Sequence, residues 1–172
     1  MRVLTSAALI VVFAGLAAVC ARITVPIVPV PMTMQTFAVL LAGAALGPWR
    51  GGVAVLLYLA LGAAGLPVLS DGASGLEHFT GPTAGYLFAF PVAAALAGAL
   101  YERARGVAAR VGLLLAAHLL ILAVGTAWLA TAMGVAAIAA GFTPFLIGAL
   151  VKSGLVAACA AALRRLPGFR PR

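Results

Sequence analysis

Six apolar segments, separated by short breaks rich in Gly, Pro or Arg, dominate this sequence. A run of about 20 apolar residues is long enough to cross a lipid bilayer as a helix. Only 8% of the residues are charged, far too few to cover the surface of a soluble domain of 172 residues. We therefore predict a single all-α integral membrane domain, residues 1–172, with six transmembrane helices at about 3–22, 35–47, 51–66, 82–101, 110–132 and 143–163.

Three details of these segments shape the prediction. The first segment follows Arg2 as a signal peptide would, but the sequence around Cys20 is a poor cleavage site, so we expect a retained span. The second and third segments are short and separated only by residues 47–52, a Gly- and Pro-containing turn that predicts a helical hairpin. For residues 134–141 the sequence is compatible with two structures, a helix or a loop folded into the membrane.

The positive charges predict the orientation of the bundle. Six spans place both termini on one side, and cytoplasmic segments carry an excess of Lys and Arg. That side holds nine of the eleven cations, whereas the other loops hold only Arg22. We therefore predict that both termini are cytoplasmic. We interpret the excess of positive charge as a topology signal and expect no nucleic-acid partner. The bundle is expected to contact membrane lipids. Cys20 and Cys159 fall at opposite faces, so no disulfide is expected.

The two long outer loops are predicted to be ordered. Residues 23–34 contain Pro26, Pro29 and Pro31, and prolines at this spacing favour extended backbone and exclude a helix. Residues 66–81 are rich in Gly and polar residues. Loops longer than about 12 residues in a compact protein are usually functional or disordered. Because both loops also contain enough apolar residues to be ordered, we interpret them as lids.

Lys152 lies near the middle of the last apolar segment. It follows Thr143 by nine residues, which is about 13 Å along a helix. A cation at such depth costs about 2.5–3.5 kcal/mol on insertion scales, so a water-lined cavity or a bound anion should offset it. We therefore predict that Lys152 belongs to a binding site for a small anionic solute.

Other polar and aromatic residues cluster at the same depth, at the outer ends of the second and fourth segments. With Lys152 they predict one outward-facing cavity whose ligand contacts are Gln35, Thr33, Thr36, Phe79, Thr83 and Tyr86. For Gln35 the sequence favours neither a helix-capping role nor a ligand contact over the other. For Tyr86 it favours neither a place in the interfacial aromatic belt nor a ligand contact. Helix capping is favoured over ligand contact for Thr33 and Thr36.

Further residues receive structural interpretations. His118 is interpreted as a satisfied interior polar group and His78 as a solvated loop residue. Tyr101 is interpreted as a belt or packing residue. Ala14 and Ala18 form a pair of small residues one helical turn apart, open between packing within the bundle and contact with a partner helix.

Enzymatic readings find little support. The chain has three carboxylates, none in mid-span, which leaves little for acid–base catalysis. It shows no metal-ligand spacing and no phosphate-binding loop, so we expect no metal, no cofactor and no ATPase activity of its own. From the residues alone, a stand-alone channel or facilitator for a small organic anion remains the alternative to a substrate-capture subunit.

Two motifs carry a resemblance to a known family. Residues 29–36 read Pro-Val-Pro-Met-Thr-Met-Gln-Thr, and residues 80–87 read Thr-Gly-Pro-Thr-Ala-Gly-Tyr-Leu. Together with residues 40–48, 57–68 and 144–146, they resemble the BioY family, the biotin-specific substrate-binding (S) components of energy-coupling factor (ECF) transporters. The resemblance covers nearly the whole chain.

The resemblance implies a six-helix S component in the bacterial cytoplasmic (inner) membrane that captures biotin from outside. It implies as partners a transmembrane coupling (T) protein and two cytoplasmic ATPases, and a loaded bundle that topples to release biotin inward. It also implies that Ala14 and Ala18 contact the coupling protein. The family often has Gly-Asp-x-x-Lys on its last helix, where this chain has Gly148-Ala149-Leu150-Val151-Lys152. The missing carboxylate favours pairing of Lys152 with the ligand.

Overall fold

The structure is a computed structural model that describes residues 2–166 and residue 169. Its helices confirm the predicted all-α class. The described part of the chain contains six main helices and one short helix: α1 Arg2–Ala21, α2 Gln35–Leu46, α3 Pro48–Ala63, α4 Ala84–Tyr101, α5 Val107–Met133, the short α6 Ala136–Gly141, and α7 Leu146–Leu163. The open question about residues 134–141 is thereby resolved in favour of a helix.

The helices differ in length in the way that the apolar segments predict. Within the described residues, four stretches are long and apolar enough to cross a membrane: α1, α4, α5 and the run Ala136–Leu163 that contains α6 and α7. Helices α2 and α3 have 12 and 16 residues, about 18 and 24 Å of helix, and are shorter than a hydrocarbon core of about 30 Å. They form the predicted hairpin, in which Gly47 ends α2 at φ 87° and Pro48 begins α3.

Helix α2 can be short because it lies at the centre of the bundle. Residues 38–46 are all buried, and α1, α3, α4 and α7 pack around them. A helix that is apolar on every side is stable only where protein or lipid surrounds it completely. Glycines bring its neighbours to backbone contact: a Cβ on Gly43 would collide with the carbonyl oxygen of Ala94, and one on Gly51 would lie 2.6 Å from the Cα of Gly43.

The outer loops have defined backbone structure. In the first loop, β1 (Thr24–Val25) pairs antiparallel with β2 (Met32–Thr33), and the prolines occupy the turn between the strands. The second loop contains two 3₁₀ turns, Ser70–Gly72 and Leu76–Phe79. An Nη2 group of Arg22 donates a hydrogen bond to the Pro67 carbonyl at 2.6 Å, which ties the end of α1 to this second loop.

A cluster around Tyr101 closes the opposite end of the bundle. Arg164 donates to the Ala44 carbonyl at 2.5 Å and pairs with Glu102 at 2.8 Å. Its guanidinium lies 4.8 Å from the Tyr101 ring, and the Arg110 guanidinium lies 5.1 Å from the same ring. Tyr101 is 1% exposed, so it is a packing residue rather than part of an interfacial belt. The cluster joins α2, α4, α5 and α7.

Candidate functional site

Lys152 lies inside the bundle, on the buried face of α7. Its side chain is 7% exposed, whereas the neighbouring Leu150 and Val151 face outward. The ammonium donates to the backbone carbonyl of Thr33 at 2.9 Å and to Oγ1 of Thr36 at 3.0 Å. These described contacts use two of its three N–H donors. The last helix is therefore pinned to the start of α2 through the one cation at this depth of the described chain.

A cavity lies beneath the outer loops, next to this ammonium group. It holds about 600 Å³ of empty space, including the part that opens to the outside. Its polar lining residues are Thr33, Gln35, Thr36, Ser70, His78, Thr83, Tyr86 and Lys152. Its apolar lining residues are Val30, Pro31, Leu69, Leu87, Phe90, Ile121, Leu122 and Phe145. Apolar walls with a few placed polar groups are the usual composition of a small-molecule site.

The structure brings together six of the seven side chains that the sequence predicts as ligand contacts. The exception is Phe79, which lies outside the cavity lining. Its ring packs against Phe88, with 6.1 Å between ring centroids, and Phe88 in turn packs against Trp128. The 3₁₀ turn Leu76–Phe79 directs the preceding residue, His78, towards the cavity instead. His78, which the sequence predicts to be a solvated loop residue, keeps 35% of its side chain exposed and also lines the cavity.

The roles left open at the start of α2 are resolved by the contacts. Oγ1 of Thr33 accepts a hydrogen bond from the backbone N–H of Gln35 at 3.2 Å, which is a capping interaction. Thr36 holds the Lys152 ammonium instead of capping the helix. Gln35 makes no side-chain cap. Its side chain is 5% exposed, and its Nε2 group has no hydrogen-bond partner among the described residues.

Tyr86 is an interior residue and not part of an interfacial belt. It is 6% exposed, and its hydroxyl donates to the Gly141 carbonyl at 2.8 Å and lies 3.4 Å from Oγ1 of Thr126. A Cβ on Gly125 would collide with its ring, so α4 and α5 approach closely here. The Tyr86 side chain therefore lines the cavity, while its hydroxyl connects α4 to the end of α6.

Several lining residues were missed from the sequence. Phe90 follows Tyr86 by one helical turn on the same face of α4, so helical periodicity could have identified it. Phe145 immediately precedes α7 and is 8% exposed. The residues on either side of it are apolar, so the sequence does not distinguish it as a cavity residue. Ser70 lies in the second outer loop, where no periodic pattern indicates which side chains point inward.

A buried polar pair next to Lys152 joins two helices, since His118 lies on α5 and Ser153 lies on α7. Nδ1 of His118 is 2.9 Å from Oγ of Ser153 and 3.1 Å from the Leu114 carbonyl. The Ser153 hydroxyl donates to the Ala149 carbonyl at 2.7 Å. The prediction of a satisfied interior histidine holds for Nδ1, whereas Nε2 has no partner among the described residues. No group of three potential metal ligands occurs in the described part of the chain.

The residue one turn before Lys152, Ala149, is 2% exposed and supplies no charge. Within residues 2–166, no carboxylate lies within ion-pair distance of the Lys152 ammonium. Among the described residues, only one carbonyl and one hydroxyl compensate its charge, which leaves the attraction for an anion in the cavity largely unopposed.

The predicted docking residues on α1 differ in exposure. Ala14 is 2% exposed and packs inside the bundle, so its side chain is not available to a partner helix in this structure. Packing within the bundle therefore accounts for Ala14. Ala18 is half-buried, at the border of an outward face. That face carries Val11, at 61% exposure, and Gly15, where an added Cβ would have no atom within 4 Å.

Fold and site together define a class: a helical membrane protein with a mostly apolar cavity beneath its outer loops and a buried ammonium group in the cavity wall. A profile of the BioY family matches residues 1–168, and the chain belongs to that family. It is 40% identical over 146 residues to a probable biotin transporter BioY of Pyrococcus horikoshii, covering 84% of this chain and 87% of the relative. It is 41% identical over 169 residues to the biotin transporter BioY of Rhodobacter capsulatus, covering 86% of each.

The fold agrees with this membership. The structure matches the crystal structure of the S-component for biotin from an ECF-type ABC transporter with a TM-score of 0.87 and 25% sequence identity. The match covers 96% of this chain and 94% of the other. The predicted family and S-component-like bundle are thereby confirmed. The relatives are transporters, in agreement with a transport protein rather than an enzyme.

Proposed function

We propose that this chain is the membrane-embedded subunit of an ECF-type transporter that captures biotin at the outer face of the membrane. One observation carries the proposal: a buried ammonium group, with no carboxylate partner in the part of the chain that the structure describes, adjoins a cavity beneath the outer loops. The biotin transporters among its relatives and the S-component for biotin that shares its fold support this choice of ligand.

The chemistry of the cavity fits the chemistry of biotin. Biotin has a bicyclic body, in which a thioether ring is fused to a polar ureido ring, and an aliphatic chain that ends in a carboxylate. The aromatic and aliphatic lining, including Phe90, Leu122 and Phe145, suits the body and the chain. Lys152 pairs with the carboxylate in a charge-assisted hydrogen bond, while Thr33 and Thr36 hold the ammonium in place. The ligand thereby offsets part of the cost of burying the lysine.

The proposal includes an orientation and a set of partners. The cluster of cations at the end of the bundle opposite the outer loops supports cytoplasmic termini in a bacterial cytoplasmic membrane. A transmembrane coupling protein and two cytoplasmic ATPases would drive release of biotin inward. The outward face of α1 around Gly15 and Ala18 supports contact with the coupling protein, because small residues let a partner helix approach closely.

Equilibrium binding of labelled biotin to the purified chain in detergent tests the capture function. We expect saturable binding at one site, displaced by unlabelled biotin and not by an aliphatic carboxylate that lacks the ring. Absence of saturable binding by folded protein would refute the proposal. Reconstitution of the chain alone in vesicles separates capture from the facilitator alternative, which requires biotin to enter without partners or ATP.

The docking face is tested by Gly15→Trp. Because Gly15 has open space around it, the indole should be tolerated by the free chain and should block only a helix that packs there. We expect biotin binding to stay within twofold, roughly the scatter of a neutral surface change, and ATP-driven uptake in cells with the complete transporter to be lost. Gly112→Trp, at an equally open position on α5, is the matched control that keeps both activities. Normal uptake by the Gly15 variant would exclude this face as the docking surface.

A further inference from the structure

Two buried polar groups in the cavity wall lack hydrogen-bond partners among the described residues. They are Oγ of Ser70, on the second outer loop, and Nε2 of Gln35, at the start of α2. A buried donor without a partner is costly, by about 1–3 kcal/mol, and native proteins rarely leave one unexplained. In the wall of a ligand cavity, such groups mark where a ligand supplies the missing acceptor.

Ser70 is held in place by the turn that it begins. The N–H of Ala73 donates to the Ser70 carbonyl at 3.0 Å, and the N–H of Leu69 donates to the Ala73 carbonyl at 3.0 Å. Leu69 itself is 2% exposed and packs against Gly62 so tightly that a Cβ there would lie 2.5 Å from the leucine side chain. The hydroxyl is therefore carried on an anchored turn rather than on a mobile loop, which limits the entropy lost when it binds.

The surroundings of Ser70 and Gln35 indicate an uncharged acceptor. The ligand carboxylate is accounted for by Lys152, which lies on α7, whereas Ser70 lies between α3 and α4. A hydroxyl and a primary amide are neutral donors, and neutral donors match a neutral carbonyl oxygen with two lone pairs. A ligand that pairs with all three groups carries a carboxylate and, apart from it, a strongly accepting uncharged oxygen.

We propose that Ser70, together with Gln35, determines specificity by donating hydrogen bonds to an uncharged carbonyl oxygen of the ligand. The inference rests on the proposed function, and in biotin the oxygen is that of the ureido group. Ser70, on the second outer loop, thus binds the ring of the ligand, while Lys152 binds its carboxylate. Loop and bundle together then reject a simple fatty acid, which offers the carboxylate alone.

The test compares biotin with 2-thiobiotin, in which sulfur, a weaker acceptor, replaces the ureido oxygen. Dissociation constants for both ligands are measured on the wild-type chain, Ser70→Ala, Ser70→Thr and Ser74→Ala. We expect the wild type to prefer biotin and Ser70→Ala to reduce that preference by about five- to tenfold, as for the loss of one neutral hydrogen bond. Ser70→Thr, which keeps the hydroxyl, should retain most of the preference.

Ser74→Ala is the matched control, because Ser74 belongs to the same loop and lies outside the described cavity lining. It should bind both ligands as the wild type does. The ratio of the two constants within one preparation does not depend on how much of a variant is folded. An unchanged ratio in Ser70→Ala would overturn the specificity role while leaving the proposed function intact. Failure of the wild type to bind biotin would instead refute the proposed function.

Discussion

Lys152→Ala lowers the affinity for biotin by about 2–5 kcal/mol, the range for removing one partner of a buried charge pair. At about 1.4 kcal/mol for each factor of ten, this is a loss of about 30-fold to several thousandfold. The physical reason is that the ligand carboxylate would enter a mostly apolar cavity without the only cation that lines it within the described chain. Calorimetric or radioligand titration of the purified variant measures the loss.

The free Lys152 variant should remain folded. Removing the ammonium leaves the Thr33 carbonyl and the Thr36 hydroxyl without that donor, but it also removes the cost of a buried charge. Ser153→Ala is the control, since Ser153 is the next buried residue of α7 and does not line the cavity. It should lose stability through its contact with His118 and keep its affinity for biotin. An unchanged affinity for biotin in the Lys152 variant would refute the role of Lys152 in ligand binding.

Gly43→Ala destabilises the bundle, even though it adds a single methyl group. The new Cβ would collide with the carbonyl oxygen of Ala94, a backbone atom that cannot move without shifting α4. Overpacking of this kind costs about 1–3 kcal/mol and more where backbone must move. We expect a lower unfolding temperature in detergent, together with weaker biotin binding, because α2 and α4 both line the cavity.

Gly112→Ala is the matched control for this prediction. Gly112 lies on α5 with no atom within 4 Å of an added Cβ. Alanine is favoured over glycine inside a helix by about 0.5–1 kcal/mol, so the control should be as stable as the wild type or more stable. Equal unfolding temperatures for Gly43→Ala and the wild type would show that α2 and α4 do not approach as closely as described.

The helices and the buried lysine were predictable because the bilayer restricts the possibilities. A span in hydrocarbon must satisfy its own backbone hydrogen bonds, so long apolar segments become helices whatever their detailed sequence. A charge in mid-span must face the protein interior, so the sequence position of Lys152 alone predicts that it lines a cavity. The turn at Gly47 and Pro48 was equally predictable, since Gly favours the end of one helix and Pro the start of the next.

The faces of α1 were not predictable in the same way. Its outward and inward sides are both built from Ala, Val, Leu and Gly, so no polar stripe distinguishes them. Spacing alone therefore pairs Ala14 with Ala18, and only the packing of neighbouring helices shows that Ala14 is interior.

The loop residues were unpredictable for a different reason. Whether Phe79 or His78 points into the cavity depends on the 3₁₀ turn Leu76–Phe79, and a sequence of four residues carries no periodicity that could specify this. The same holds for Ser70 in its turn. Side-chain direction in these loops follows from contacts with distant residues, such as the packing of Leu69 against Gly62.

Calorimetric titration of the wild-type chain with biotin and with its uncharged amide tests the central claim most directly. The two ligands share ring and chain and differ in the charge that Lys152 is proposed to bind. We predict that biotin binds more tightly than the amide by at least about 2 kcal/mol, or about 30-fold. Equal affinities would contradict the account, because the buried ammonium would then not be the group that recognises the ligand.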